Sequence, residues 1–464
     1  MNTTIFQRQQ KYKISKRPGE GDPMKTILNK ATGKKIIKAS ILEEYGIDLD
    51  TIDKNFDDRI FQIAKEIRLQ QANKVQPSSN LSSDFHSSLL ETVLSRNPFD
   101  NTVETVVFNR LVTKASCAAV LKSSAYSIIE KIAIFSTVVE LGAREFFDIH
   151  NPSKIVTHLS AAKENGYFFT PASVAIRMVL AALEYKPDAQ RVLDPSCGAG
   201  VFLAYQMLFN PSVTSITGIE LDFDTAQYAY ELLSYISNTL EKSKSIEINI
   251  INKNYFDYFE TKETTELFDL IVMNPPYGSI KFLSSDLTDK STQARLSSLE
   301  LEALDAELRQ RTREYASNLR IQLKDYGIGK GILEFSKLFL ASTQELLDTN
   351  GFLTAITPTS WLGDETSSEF RKSLFENNRL FELWIFPEAA KLFKGVNQPT
   401  AVSFIGKTSS PKINVSDNLL SVLDIRLNTY DLDMQSLISV SGGKLKFPKC
   451  SEIQLPILRQ ISLQ

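Results

Sequence analysis

From Thr170 onward the chain alternates short apolar runs with helical patterns, and that alternation leaves few folds open. Strand-like runs fall at Arg191–Leu193, Ser215–Glu220, Ile246–Ile251, Phe268–Met273, Gly351–Thr357, Leu383–Phe386 and Thr400–Ile405. Helical patterns separate most of them, as over Asp224–Leu240 and Ile332–Leu347. A further helix, with Thr170 as N-cap and Pro171 at its first position, is expected to run to Tyr185. Strands joined through helices pair parallel and are covered on both faces, so the expected class is α/β with a Rossmann-like, seven-stranded sheet. Ligands of such sheets sit beyond the carboxyl ends of the strands, which directs attention to the residues just after each run.

The preceding part reads differently. Ile41 to Arg68 is helical in pattern, Gln76 to Ser88 is a Ser/Asn-rich linker, and apolar residues recur at helical spacing from Val103 to Phe147. At 464 residues two or three domains are expected. The reading is a mainly helical N-terminal domain over 1–155, the α/β domain over 156–410 with a polar helical insert at 281–330, and a short tail over 411–464. Ten basic residues between Arg8 and Lys38 face only Glu20 and Asp22. They read as a solvated arm, with phosphate contact as the second reading.

Composition narrows the setting. With 42% hydrophobic and 23% charged residues the chain is expected to be soluble and globular. Met1 to Gln10 lacks a signal-peptide core and no apolar stretch is long enough for a membrane span, so a cytoplasmic protein with no membrane contact is expected. Cys117, Cys197 and Cys450 are scattered and odd in number, which suits reduced thiols. His86, His150 and His158 lack a cysteine pair at ligand spacing, and no metal is expected. A net charge of −3 neither supports nor excludes a nucleic acid, because such an enzyme need be basic along one groove only.

The first strand leads into Asp194-Pro195-Ser196-Cys197-Gly198-Ala199-Gly200. Two glycines one residue apart allow a sharp turn and close backbone approach to a ligand, although a plain strand–turn–helix junction would use them too. The second strand ends in Glu220, placed as the acidic residue that accepts ribose hydroxyls; a helix N-terminal acid is the plainer reading and suits Asp222 and Asp224 better. Asn254, Tyr255 and Asp257 follow the third strand, where an amide or carboxylate can hold an adenine amino group beside a ring. Upstream, Gly166-Tyr167-Phe168-Phe169-Thr170-Pro171 ends in a helix N-terminus able to hold a carboxylate. Together the set points to a nucleoside-type cofactor.

The fourth strand delivers Asn274-Pro275-Pro276-Tyr277-Gly278. An amine on a purine ring is a poor nucleophile because its lone pair is delocalised. Two acceptors, here the Asn274 side-chain oxygen and the Pro275 carbonyl, make that nitrogen more tetrahedral and aim its lone pair. The successive prolines hold those carbonyls rigidly, and Tyr277 offers a face for a flat base. If the methyl donor carries its own leaving group, alignment is the enzyme's main task, and no nearby histidine is needed.

These motifs resemble the amino-group DNA methyltransferases of restriction–modification systems, in the branch acting on N6 of adenine. The likeness covers about Gly166 to Lys407. The Gly-x-Phe-Phe-Thr-Pro and Asp-Pro-x-Cys-Gly-x-Gly elements look like type I modification subunits. The Asn-Pro-Pro-Tyr-Gly form, with Thr354 to Leu362 downstream, looks more like type II enzymes. The resemblance implies a class I methyltransferase domain, S-adenosylmethionine as cofactor, and double-stranded DNA as partner. It implies that Thr170, Asp194, Pro195, Gly198, Gly200 and Glu220 hold the cofactor, while Asn274, Pro275, Pro276 and Tyr277 act on an adenine turned out of the duplex. Motif order resembles the gamma class, since only 17 residues separate Asp257 from Asn274. Two positions depart from the pattern: Asn254 stands where the family has Asp, and the second stacking aromatic is not fixed, with Trp361 and Phe370 as candidates. Because 57 residues follow Lys407, the expectation is a separate specificity subunit, with any linked nuclease on another polypeptide. The same chemistry also serves RNA amines and protein glutamine, and an inactive cofactor-binding scaffold is the non-enzymatic alternative.

Overall fold

The computed structural model describes residues 41–49, 51–52, 54–75, 103–147, 155–157, 169–240, 245–261, 267–279, 297–328, 333–363, 365–376, 378–386, 399–407, 421–424, 437–438, 440–441 and 444–445. The basic arm, the linker after Gln76, Gly166 to Phe168, the three histidines and Cys450 lie outside these residues. Two compact units are present, Met1–Gly46 and Ile47–Gln464. Of the first, residues 41–46 form one helical turn closed by Tyr45 N–H donating to the Ile41 carbonyl at 3.1 Å.

The second unit holds the sheet. All seven anticipated runs are strands, here β3 (Arg191–Asp194), β4 (Ser215–Glu220), β5 (Glu247–Asn252), β6 (Phe268–Met273), β7 (Leu347–Pro358), β8 (Asn378–Phe386) and β9 (Thr400–Lys407). They follow a small antiparallel pair, β1 (Glu145–Phe147) with β2 (Ile155–Thr157). The chain lays down β3, β4 and β5 in parallel toward one edge, then returns to place β6 on the other side of β3 and β7 beyond it. β9 runs antiparallel between β7 and β8. That order, β8-β9-β7-β6-β3-β4-β5 with one reversed strand, is the seven-stranded class I methyltransferase arrangement. The sheet does not stop at β8: β10 (Ser421–Asp424) adds in parallel to it, and β11 (Leu437–Ile438) caps the edge. The part read as a tail thus contributes two strands.

Helices cover both faces. α4 (Ala172–Tyr185), α5 (Val201–Phe209), α6 (Phe223–Thr239), α7 (Tyr255–Thr261), α8 (Ser298–Gln322), α9 (Phe335–Leu346) and α10 (Ser368–Glu376) follow three earlier ones, α1 (Lys54–Ala72), α2 (Val103–Lys122) and α3 (Ile128–Arg144). α5 is buried at every position, as expected of a helix enclosed between sheet and neighbours. The boundary expected near residue 155 is not a break in packing. Lys131 of α3 donates to the Tyr235 hydroxyl of α6 at 2.7 Å, and the Tyr205 hydroxyl of α5 reaches the Ile129 carbonyl. α3 is apolar enough to be mostly buried, so it cannot stand alone and closes over the α/β layer.

The insert is partly a solvated excursion and partly core. α8 opens with a capping box formed by Ser297 and Glu300, and its first turns are exposed. At its other end Leu319 and Leu323 are fully buried in the core beside Phe259 and Leu338.

Candidate active site

β3 and β6 are neighbours in space but adjacent to opposite halves of the chain, so the turns after them face one crevice at the point where strand order reverses. A cavity of about 250 Å³ opens there. Of the anticipated residues, Thr170, Asp194, Pro195, Gly198, Glu220, Asn254, Tyr255, Asn274 and Pro276 line it; Gly200, Asp257, Pro275 and Tyr277 do not.

The turn after β3 is built around its carboxylate. Asp194 is fully buried, and its Oδ1 accepts the Ser196 N–H at 3.1 Å. Gly198 and Gly200 take φ of +53° and +80°, values that a residue with a Cβ rarely adopts. Gly200, outside the cavity, serves as the N-cap of α5 and packs against Ala229. Glu220 reaches back from β4, accepting the Gly198 N–H at 3.0 Å and the Asp222 N–H at 2.8 Å. Burial pushes the Asp194 carboxyl up to about 8, the nearby Glu220 adding to the rise and the Ser196 N–H opposing it. Burial likewise raises Glu220 to about 7. Among the described residues, Asp194 Oδ2 is buried with no hydrogen-bond partner. A cavity edged by two such carboxyls suits a ligand carrying positive charge and hydroxyl donors.

After β5 the Asn254 oxygen accepts the Phe256 N–H at 2.9 Å, so this amide caps α7 while lining the cavity. That local duty is one Asn performs as well as Asp. Tyr255 is mostly core: its hydroxyl bonds Ser342 at 2.9 Å and its ring stacks on Phe339. Asp257 lies instead beneath the insert, where it and Glu260 face Tyr315 of α8, whose hydroxyl burial pushes up to about 12.

On the reactive side, the Asn274 amide NH2 donates to the Thr170 hydroxyl at 3.1 Å, and the Ser196 hydroxyl donates to the Asn274 carbonyl at 3.2 Å. The two halves of the site are thus tied through Thr170 and Ser196. With its NH2 on the Thr170 hydroxyl, the amide has its oxygen left as the acceptor. Thr170 is therefore not the N-cap expected of it. Pro171 occupies that place without a side-chain cap, because the threonine hydroxyl is engaged with Asn274.

The aromatic residues anticipated for stacking are all buried. Tyr277 is buried, its hydroxyl pushed well above the usual phenol range by burial, and it is not among the residues lining the cavity. Trp361 and Phe370 pack edge to face in the core, with the Trp361 N–H donating to Thr357 at 2.8 Å. The aromatic lining comes instead from Phe169, Phe256, Phe335 and Phe339. Phe169 belongs to an element already singled out. Phe335 opens α9, and its N–H donates to the Gly278 carbonyl at 2.9 Å, which sets it beside the Asn274–Gly278 turn. No local signal marks it, since 55 residues of chain intervene between Gly278 and Glu334, and only an isolated bridge from Ser279 to Glu334 brings the two together.

The strand order and a cavity at its switch point define a class I methyltransferase architecture. Residues 131–393 match the family model described as Eco57I restriction-modification methylase, more than half the chain. The chain belongs to that family, and S-adenosylmethionine is its cofactor. The match begins within α3, again tying the helical part to the catalytic unit. The chain is also 24% identical over 280 residues to the type II methyltransferase M.BsuBI of Bacillus subtilis, covering 57% of this chain and 49% of that protein, about half its length. Among solved structures, the DrdV–DNA complex is 13% identical with a TM-score of 0.46, over 88% of this chain and 43% of that one. The methyltransferase subunit of a type I restriction–modification system from Streptococcus thermophilus is 14% identical with a TM-score of 0.40, over 94% and 92%. Both likenesses are loose, and the fold stands on the strand order itself.

The residues present fit the cofactor. Its sulfonium and ammonium charges and ribose hydroxyls answer the raised carboxyls of Asp194 and Glu220, the partnerless Asp194 Oδ2 and the apolar aromatic wall. Asp194, Gly198, Glu220 and Asn254 would hold it.

Proposed function

We propose that the chain methylates N6 of adenine in DNA, taking the base out of the duplex, as the modification component of a restriction–modification system. The observation that carries this reading is the Asn274 amide, held by Thr170 on the wall of the cofactor cavity. Bound S-adenosylmethionine supplies an electrophilic methyl group that carries its own leaving group. The Asn274 oxygen and the Pro275 carbonyl accept the two N6 hydrogens, which draws the nitrogen toward tetrahedral geometry and turns its lone pair toward the methyl. Neither acceptor needs to be a base, because the proton can pass to solvent after the new N–C bond forms. The aromatic wall at Phe335 and Phe169 would help keep water out of the alignment once cofactor and base fill the cavity. N6 cannot reach such a pocket from within a stacked duplex, so extrusion of the base belongs to the proposal. Since Tyr277 is buried and neither it nor Pro275 lines the cavity, the proposal includes a shift of that turn when a base enters.

Recognition of a target sequence by a separate specificity subunit, with any nuclease on another chain, is part of the same proposal. Transfer of labelled methyl to unmethylated DNA, set against ribosomal RNA and a release factor, tests the substrate. Label in DNA, recovered as N6-methyladenine, is expected; label in RNA or protein alone would overturn it. Specific methylation by the isolated chain, with no partner co-purifying, would refute the separate subunit.

A further inference from the structure

α4 begins at the site, immediately after Thr170, and no residue of its own caps it. The cap comes from far away in the chain. Asp57, in the first turn of α1, accepts the Ser173 N–H on Oδ1 at 3.0 Å, and the Ser173 hydroxyl donates to its Oδ2. Ser173 is fully buried, so both donors depend on that carboxylate. One turn further along α4, Arg177 donates to the Leu49 carbonyl at 2.5 Å and the Ile52 carbonyl at 3.2 Å, on the approach to α1. The two helices are therefore clasped in both directions, the carboxylate of α1 against the start of α4 and the guanidinium of α4 against the chain leading into α1. Asp57 also sits where two helix N-termini meet, each favouring negative charge.

We propose that Asp57 is a positioning residue for the methyl-transfer site: by capping α4 it fixes the Thr170–Pro171 entry, and through the Thr170 hydroxyl it sets the orientation of the Asn274 amide. The linkage is short. Between the capped Ser173 and Thr170 stand only Pro171, with φ of −53°, and Ala172. A proline leaves little slack, so a shift of the first turn of α4 becomes a shift of the Thr170 hydroxyl. That hydroxyl is 3.1 Å from the Asn274 nitrogen, and a displacement on the order of 1 Å at such a contact can cost roughly 100-fold in rate. On this account the helical part of the chain is a component of the catalytic apparatus, acting on an amide it never touches. The inference rests on the proposed role of Asn274.

A double-mutant cycle decides it. Asp57→Ala is expected to lower kcat by about 10- to 100-fold with the cofactor Kd changed less than about 3-fold, and Asp57→Asn, which keeps an acceptor for Ser173, to recover a large part of that loss. Thr170→Val, near-isosteric but without the hydroxyl, is expected to lower kcat on its own, and Asp57→Ala added to it to cost little more. Independent of turnover, hydrogen exchange of the 170–176 segment in cofactor-free protein should rise in Asp57→Ala and stay unchanged in Thr170→Val. Multiplicative losses in the cycle, or unchanged exchange in Asp57→Ala, overturn the inference; should Asp57→Ala fail to fold, Asp57→Asn carries the same cycle and exchange comparison. A wild-type chain that transfers no methyl to DNA would sink the proposed function instead, while the exchange experiment would still judge the Asp57 link.

Discussion

At the scale of single residues, the site is an arrangement of costs that a ligand relieves. Asp194 and Glu220 are held buried, with carboxyls raised to about 8 and about 7 against ordinary values of 3.8 and 4.5. A raised carboxyl binds its proton more tightly in the folded than in the unfolded state. Its contribution to stability is complete below about pH 4 and is lost as pH climbs through 7 and 8. The thermal midpoint of the cofactor-free protein should therefore fall between about pH 5 and pH 8, and Glu220→Gln should flatten that decline; a midpoint rising over this range contradicts the assignment. Gly198→Ala tests the turn. The new Cβ would lie 3.6 Å from Phe169, ordinary contact, so the obstacle is the φ of +53°, costing about 1–2 kcal/mol. Calorimetry should register that loss together with weaker cofactor binding. Asn274→Ala should lower kcat by about 100- to 1000-fold while cofactor binding, measured by titration, stays intact.

At the scale of elements, the βα alternation was legible because the central strands, buried on both faces, must be continuously apolar, while the edge strand β5 keeps only its spaced isoleucines; all seven runs were recovered with their ends moved by a few residues. Most motif residues were legible for a related reason: apart from Thr170, each ends or follows a strand, where the fold places ligands. What could not be read was anything set by contact between distant elements. Thr170 looked like an N-cap because local chemistry favours that use, but Asn274 competes for its hydroxyl, and Asp57 supplies the cap from 116 residues away. Tyr277 has the residue type for stacking, yet whether its face is exposed depends on what packs over it. Phe335 reaches the cavity through an insert whose length hides the adjacency. The insert itself gives a prediction at this scale. Leu319→Ala, at a fully buried position, should destabilise the chain by about 2–5 kcal/mol in denaturant titration, whereas Leu299→Ala, at an exposed one, should fall within about 0.5 kcal/mol.

At the scale of the whole molecule, the helical and α/β parts form one unit from Ile47 onward. Arg68 of α1 is buried against Glu145 and over the Phe147 ring, Lys131 of α3 bonds Tyr235 of α6, and Asp57 caps α4. Scanning calorimetry should accordingly show one cooperative transition, with no earlier step for residues 54–144. Two resolved transitions would return the helical part to the status of a separate domain. No helix among the described residues is long and apolar enough to cross a membrane.

On the proposed function, Asn274 presents its amide oxygen to the methyl-bearing end of the cofactor. A crystal structure with S-adenosylhomocysteine bound would show whether it does. The ligand's ribose is expected at Glu220, its sulfur turned toward Asn274, with a gap between sulfur and amide oxygen that one amine nitrogen and the transferred carbon would fill. A ligand seated with its sulfur away from Asn274, or an Asn274 amide rotated off Thr170 with its NH2 facing the ligand, contradicts it.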